Sequence, residues 1–125
     1  MGSFTGPLLL EYLDGRAAGR SYRLIAGFSY ETEIGGLGVI HVPAGFITDF
    51  ASVPRFFWRL FPPTGTYGKA AVVHDYLYRC TDIDRAICDA VFLEAMEVLG
   101  VSWIARRLMH RAVRVFGKFA RKRMC

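Results

Sequence analysis

No stretch of this chain approaches the roughly 18 to 20 uncharged residues that a membrane-spanning helix requires, so a transmembrane segment is not expected. The opening residues also lack the basic segment, apolar stretch and small-residue cleavage site of a secretory signal, and the expectation is a soluble protein made in the cytoplasm. Cysteine is scarce. Cys80, Cys88 and Cys125 are an odd number without C-x-x-C spacing, which favours reduced thiols over a disulfide framework or a cysteine-based zinc site. Charged residues make up only 22% of the 125 positions, against 53% hydrophobic and 14% aromatic, so wholesale disorder, coiled coil and low-complexity structure are excluded. The apolar material suffices for one core, and the chain is too short for two.

Acidic side chains are missing after Glu97. Between Arg106 and Arg123 stand 8 basic residues, whereas the remainder of the chain carries 8 basic against 11 acidic. A mildly acidic body thus bears a basic C-terminal element suited to phosphate, anionic lipid or an acidic protein surface.

The pattern predicts a single α+β domain over 1–125, with N-terminal antiparallel strands at about 8–42, an aromatic and proline-rich loop at 43–66, and three helices at about 67–119. Leu8 to Leu13, Tyr22 to Tyr30 and Leu37 to Val42 are short, aromatic or β-branched, and bounded by glycine-containing turns. In the loop, prolines forbid continuous regular structure, so its phenylalanines and tryptophan must be covered elsewhere. Helices are expected from Tyr67 to Arg79, Asp84 to Leu99 and Ser102 to Phe119, with Gly100 as the break between the last two.

On the first helix, advancing 100° per residue gathers Tyr67, Ala71, His74 and Tyr78 in one arc, with Asp75 at its edge. On the second, Asp89 falls between Met96 and Leu93 inside the apolar arc, while Glu94 and Glu97 share a polar stripe. A carboxylate among apolar residues needs a partner, either Arg85 one turn earlier or a group across the helix interface. Centring an antiparallel turn between Thr81 and Asp82 sets His74 level with Asp89 and Tyr78 level with Arg85. A His-Asp pair fixes the imidazole tautomer and frees the other nitrogen as a base. Asp75 and Asp49 are candidate ligands for a divalent metal, calcium or zinc, beside His74 and Asp89. Ser52 is a candidate nucleophile if it meets His74. The structural alternative for His74, Asp75 and Asp89 is a buried polar network that locks two helices, and for Asp49 and Ser52 a turn or cap role.

Arg55, Phe57, Trp58 and Arg59 form either a binding rim or part of the core cover, and His41 and His110 read as surface or strand-end residues. The third helix is amphipathic, with Ile104, Ala105, Leu108, Met109, Ala112, Val115, Phe116 and Phe119 on a face expected to pack entirely on the core. Arg107, Arg111, Arg114 and Lys118 lie opposite, as a solvated face or as the contact for an anionic partner. Nucleic acid is the weakest of those partners, since charge alone supports it.

Val42-Pro43-Ala44-Gly45-Phe46-Ile47-Thr48-Asp49-Phe50-Ala51-Ser52-Val53-Pro54, then His74-Asp75-Tyr76-Leu77-Tyr78, then Arg85 with Asp89 and Phe92, resemble a phage and prophage family known only as domain of unknown function 1353. The resemblance spans roughly residues 22 to 117 and implies a bacteriophage or prophage origin, with synthesis in the host cytoplasm and virion association as the alternative location. It implies no activity. Separately, His74-Asp75-x-x-Tyr78 followed by Asp89-x-x-Phe92 is similar to the helix pair of phospholipases A2. That similarity implies His74 as base, Asp75 as calcium ligand, and Tyr78 with Asp89 as supports; the glycine-rich calcium loop and the disulfides of those enzymes have no good counterpart.

Two functions are therefore expected to compete. One is a phage-encoded, His/Asp-centred and metal-assisted hydrolase acting on a bacterial envelope component. The other is a non-catalytic virion or tail-assembly component, partnered by phage structural proteins, in which the His-Asp network is structural. The oligomeric state is left open by the sequence.

Overall fold

The computed structural model describes residues 2–13, 21–48 and 67–117. Among these residues six strands come first: β1 Ser3–Phe4, β2 Leu10–Leu13, β3 Ser21–Leu24, β4 Phe28–Thr32, β5 Gly38–Val42 and β6 Ile47–Thr48. Three α-helices follow among the described residues: α1 Gly68–Cys80, α2 Arg85–Val98 and α3 Trp103–Phe116. The α+β class is as the sequence indicates, and each helix end lies within a few residues of its predicted place.

The strands form two three-stranded antiparallel sheets, ordered β1-β4-β5 and β2-β3-β6. The single strand predicted over Tyr22 to Tyr30 is in fact two, because the chain leaves one sheet after Leu24 and enters the other at Phe28. The crossing is held by backbone bonds from Leu24 N to Phe46 O at 2.9 Å and from Ile25 N to Leu9 O at 2.9 Å. Gly27 sits where a Cβ would come within 2.9 Å of the Val42 carbonyl, so a side chain there would strain the start of the β4–β5 pairing. β6 lies inside the stretch expected to be loop. Its register against β3, Tyr22 with Thr48 and Arg23 with Ile47, supplies the backbone bonds that a two-residue strand cannot find alone.

Alternation decides which strand faces turn inward. Phe28, Tyr30 and Thr32 of β4 and Ile40 and Val42 of β5 are buried, with Val39 and His41 exposed on either side of Ile40. Tyr30 and Thr32 reach Glu94 of α2, while β5 and β6 contact α1, which is buried through Ala70, Val72, Val73 and Leu77 as well as the expected arc. α1 is thus the central element. α2 packs beside it and α3 beside α2, an order that Gly100, at φ 81°, permits by turning the chain sharply between them.

Two expectations are corrected here. The apolar face of α3 is only half covered: Ala105, Met109, Ala112 and Val113 are buried, but Ile104, Leu108, Val115 and Phe116 are exposed. α3 packs on α2 through the arc that contains the small Ala105 and Ala112, and the rest of its apolar stripe is turned outward. Cys80 is disulfide-bonded, against the expectation of reduced thiols, while Cys88 is free and buried. An odd count excludes a complete framework, not a single bridge.

Candidate functional site

His74 stands in the middle of α1 and Asp89 on the first turn and a half of α2. Both side chains are wholly buried. The two helices return antiparallel, and His74 Nε2 lies 2.7 Å from Asp89 Oδ1. The Tyr78 hydroxyl, one turn further along α1, donates to the same oxygen at 2.5 Å. Arg85 Nε in turn donates to the Tyr78 hydroxyl at 3.3 Å. Both level pairings drawn from the turn are therefore made.

The second oxygen of Asp89 is taken from α3. Arg114 Nη1 donates to Asp89 Oδ2 at 2.8 Å, so the arginine expected to face an anionic partner has an internal one. Arg85, considered as the partner of Asp89, instead spends Nη2 on the carbonyls of Val113 at 3.1 Å and Arg114 at 2.8 Å, near the end of α3. The network ties all three helices together. Arg114 was missed as a support because its partner is 25 residues away. Applying the level argument to α2 and α3 about Gly100 and Val101 sets Asp89 opposite Ala112, within one turn of an arginine that leans toward its helix N-terminus.

Burial pushes the Asp89 carboxyl upward, but the bond and charge of His74 and the donors Tyr78 and Arg114 outweigh it and hold Asp89 below the usual carboxylate value. Asp89 is thus an anion and an acceptor. His74 Nε2 must carry the hydrogen, which leaves Nδ1 with a lone pair. Burial lowers His74 below the ordinary histidine value, against the opposing pull of Asp89, so the ring is neutral near pH 7. The ring stacks on Phe92 at a centroid distance of 4.7 Å and touches the ring of Tyr78 at 4.2 Å. Nδ1 is buried and, among the described residues, has no hydrogen-bond partner.

Asp75, also buried, points elsewhere on α1. Its Oδ2 accepts from Thr48 Oγ1 at 2.6 Å and pairs with Arg79 Nη1 at 3.3 Å, and Arg79 also donates to the Ile47 carbonyl at 2.7 Å. Thr48 was not legible as a partner of Asp75, because β6 itself was not. Among the described residues, no three His, Cys, Asp or Glu side chains converge as a metal set. Asp49 and Ser52, the remaining candidates for that centre, lie outside the described residues, as do Arg55, Phe57, Trp58, Arg59 and Lys118. Arg107 and Arg111 are exposed on α3, and Arg107 lies over the Trp103 ring at 5.8 Å.

The family model described as protein of unknown function (DUF1353) matches residues 22–113. The chain belongs to this family. The DUF1353 match contains His74, Asp75, Tyr78, Arg85 and Asp89 and ends one residue before Arg114. The chain is also similar to the uncharacterized protein y4jT of Sinorhizobium fredii (strain NBRC 101917 / NGR234), 36% identical over 80 residues that make up 61% of this chain and 23% of that relative. It thus spans about a quarter of that protein's length. No solved structure matches.

Proposed function

We propose that the protein is a hydrolase in which His74 acts as general base through Nδ1. One observation carries the reading: among the described residues this nitrogen is buried without a partner while its ring neighbour is committed to Asp89. An unpartnered buried lone pair is a place for a water or a substrate proton donor. Water held at Nδ1 gives up its proton as its oxygen attacks an ester or amide carbonyl, and the imidazolium so formed is stabilised by Asp89. The same proton then passes to the leaving group. Tyr78 and Arg114 are positioning residues that hold Asp89, and through it the tautomer of His74. The step needs no metal at Asp75, whose Oδ2 is engaged by Thr48 and Arg79. The substrate is a component of the bacterial envelope, the setting that a phage or prophage origin supplies.

Product release from bacterial phospholipid and from peptidoglycan, followed by mass spectrometry, tests this. The wild type is expected to release product, and His74→Gln to lose it by about 10²–10⁴-fold with its circular dichroism retained. A folded His74→Gln protein with undiminished release overturns the catalytic reading.

A second reading rests on the complete burial of both His74 and Asp89 in a network spanning three helices. On it the network is a polar lock and the protein a non-catalytic virion or tail-assembly component. Its expected signature is co-purification with particles and a His74→Gln variant that loses stability but no activity.

A further inference from the structure

α3 carries two adjoining exposed rows. Along one run Ile104, Leu108 and Val115, exposed by 65%, 46% and 54%, with Trp103 exposed by 60% at the start of the helix. Beside it stand Arg107, Arg111 and Arg114, all exposed. An open cleft along this helix is lined by Trp103, Ile104, Arg107, Leu108, Arg111 and Arg114 among others, and every described lining residue belongs to α3. Burial of an apolar row normally stabilises a helix in a small domain, and here that row is turned outward next to cations.

We infer that this face of α3 is a docking surface for an anionic lipid bilayer, with Trp103, Ile104, Leu108 and Val115 at the acyl boundary and Arg107 and Arg111 on the headgroup phosphates. Charge complementarity selects the occupant. The face has no acid of its own, since none occurs after Glu97, so a second copy of the chain would oppose cation to cation. Nucleic-acid phosphates would satisfy the arginines but leave the aliphatic row in water. An acidic protein helix would have to match the apolar row and the cationic row residue by residue, whereas a bilayer presents phosphates and acyl chains side by side over its whole surface. It accepts a helix lying flat, apolar row downward and arginine stems reaching up to the phosphates. The inference goes beyond the proposed hydrolysis and does not depend on it.

Co-sedimentation of the full chain with vesicles of equimolar phosphatidylcholine and phosphatidylglycerol, against phosphatidylcholine alone, is the test. Binding is expected to the anionic vesicles and to weaken as salt rises. Arg107→Gln and Arg111→Gln should each reduce it about fivefold, and the pair Ile104→Ser with Leu108→Ser by about tenfold or more. All four positions are exposed, and thermal melts check that the variants fold. His74→Gln should bind as the wild type does, which separates failure of docking from failure of catalysis. No binding at low salt, equal binding to phosphatidylcholine alone, an aliphatic double variant that binds undiminished, or retention by duplex DNA or an acidic peptide in place of vesicles would each overturn the inference.

Discussion

Asp89 holds more of this molecule together than any other single side chain described. Its two oxygens receive His74, Tyr78 and Arg114, so removing it strands a histidine, a phenol and a guanidinium at once. Asp89→Ala is expected to destabilise the protein by about 3–5 kcal/mol, the cost typical of breaking a buried charge network. Tyr78→Phe removes one donor and is expected to lower stability by about 1.5–3 kcal/mol. Urea unfolding measures both, and a loss below about 1 kcal/mol for Asp89→Ala would mean that water reaches the site and replaces the carboxylate. The hydrolase and the polar lock differ at one atom. If Nδ1 serves only packing, its nitrogen resonance should be indifferent to added substrate analogues, whereas a base should respond to them.

At the scale of elements, the contacts between helices and sheets rest on a few polar anchors set in apolar surroundings. Tyr30 and Thr32 of β4 both donate to Glu94 Oε1 of α2, at 2.6 and 2.7 Å. Glu94 is thus a clasp between sheet and helix rather than part of a solvated stripe with Glu97. Burial first, and Glu94 second, push the Tyr30 hydroxyl far above its ordinary value. Glu94→Ala leaves two hydroxyls without an acceptor and is expected to cost about 1–3 kcal/mol, with Tyr30 ionising at lower pH in an ultraviolet titration. The end of α3 shows the same economy of space. A Cβ at Gly117 would lie 2.6 Å from the Tyr78 hydroxyl oxygen. Since Tyr78 is fully buried and bonded to Asp89, it has little room to yield. Gly117→Ala is expected to cost about 1–3 kcal/mol through overpacking, and a crystal structure of the variant should show a displaced Tyr78.

For the whole molecule, the buried network dictates how stability follows pH. His74 is held below the ordinary histidine value of 6.5, so the unfolded chain binds a proton more readily than the native one. Stability from this source is present above 6.5 and is lost as pH falls toward the lowered native value. His110 is lowered by burial as well and adds to the same slope. Asp89, held below its ordinary 3.8, contributes a second loss below that pH. Urea midpoints should therefore fall from about pH 8 to about pH 5, and His110→Gln should leave the part due to His74. A flat profile in His110→Gln would show that His74 titrates normally. Much of this was legible in the sequence. The period of α1 and α2 put His74 and Asp89 on inward arcs, and equal rise along two helices joined at Thr81 and Asp82 set them opposite each other. Those are local properties, fixed by 3.6 residues per turn and by where a chain reverses. Sequence could not decide which arc of α3 would be covered, since Ile104 and Leu108 are as apolar as Met109 and only the space beside α2 chooses among them. Nor could it join Arg114 to Asp89, Thr48 to Asp75 or Glu94 to Tyr30. Each pairs groups distant along the chain, and their approach depends on packing that no local period encodes.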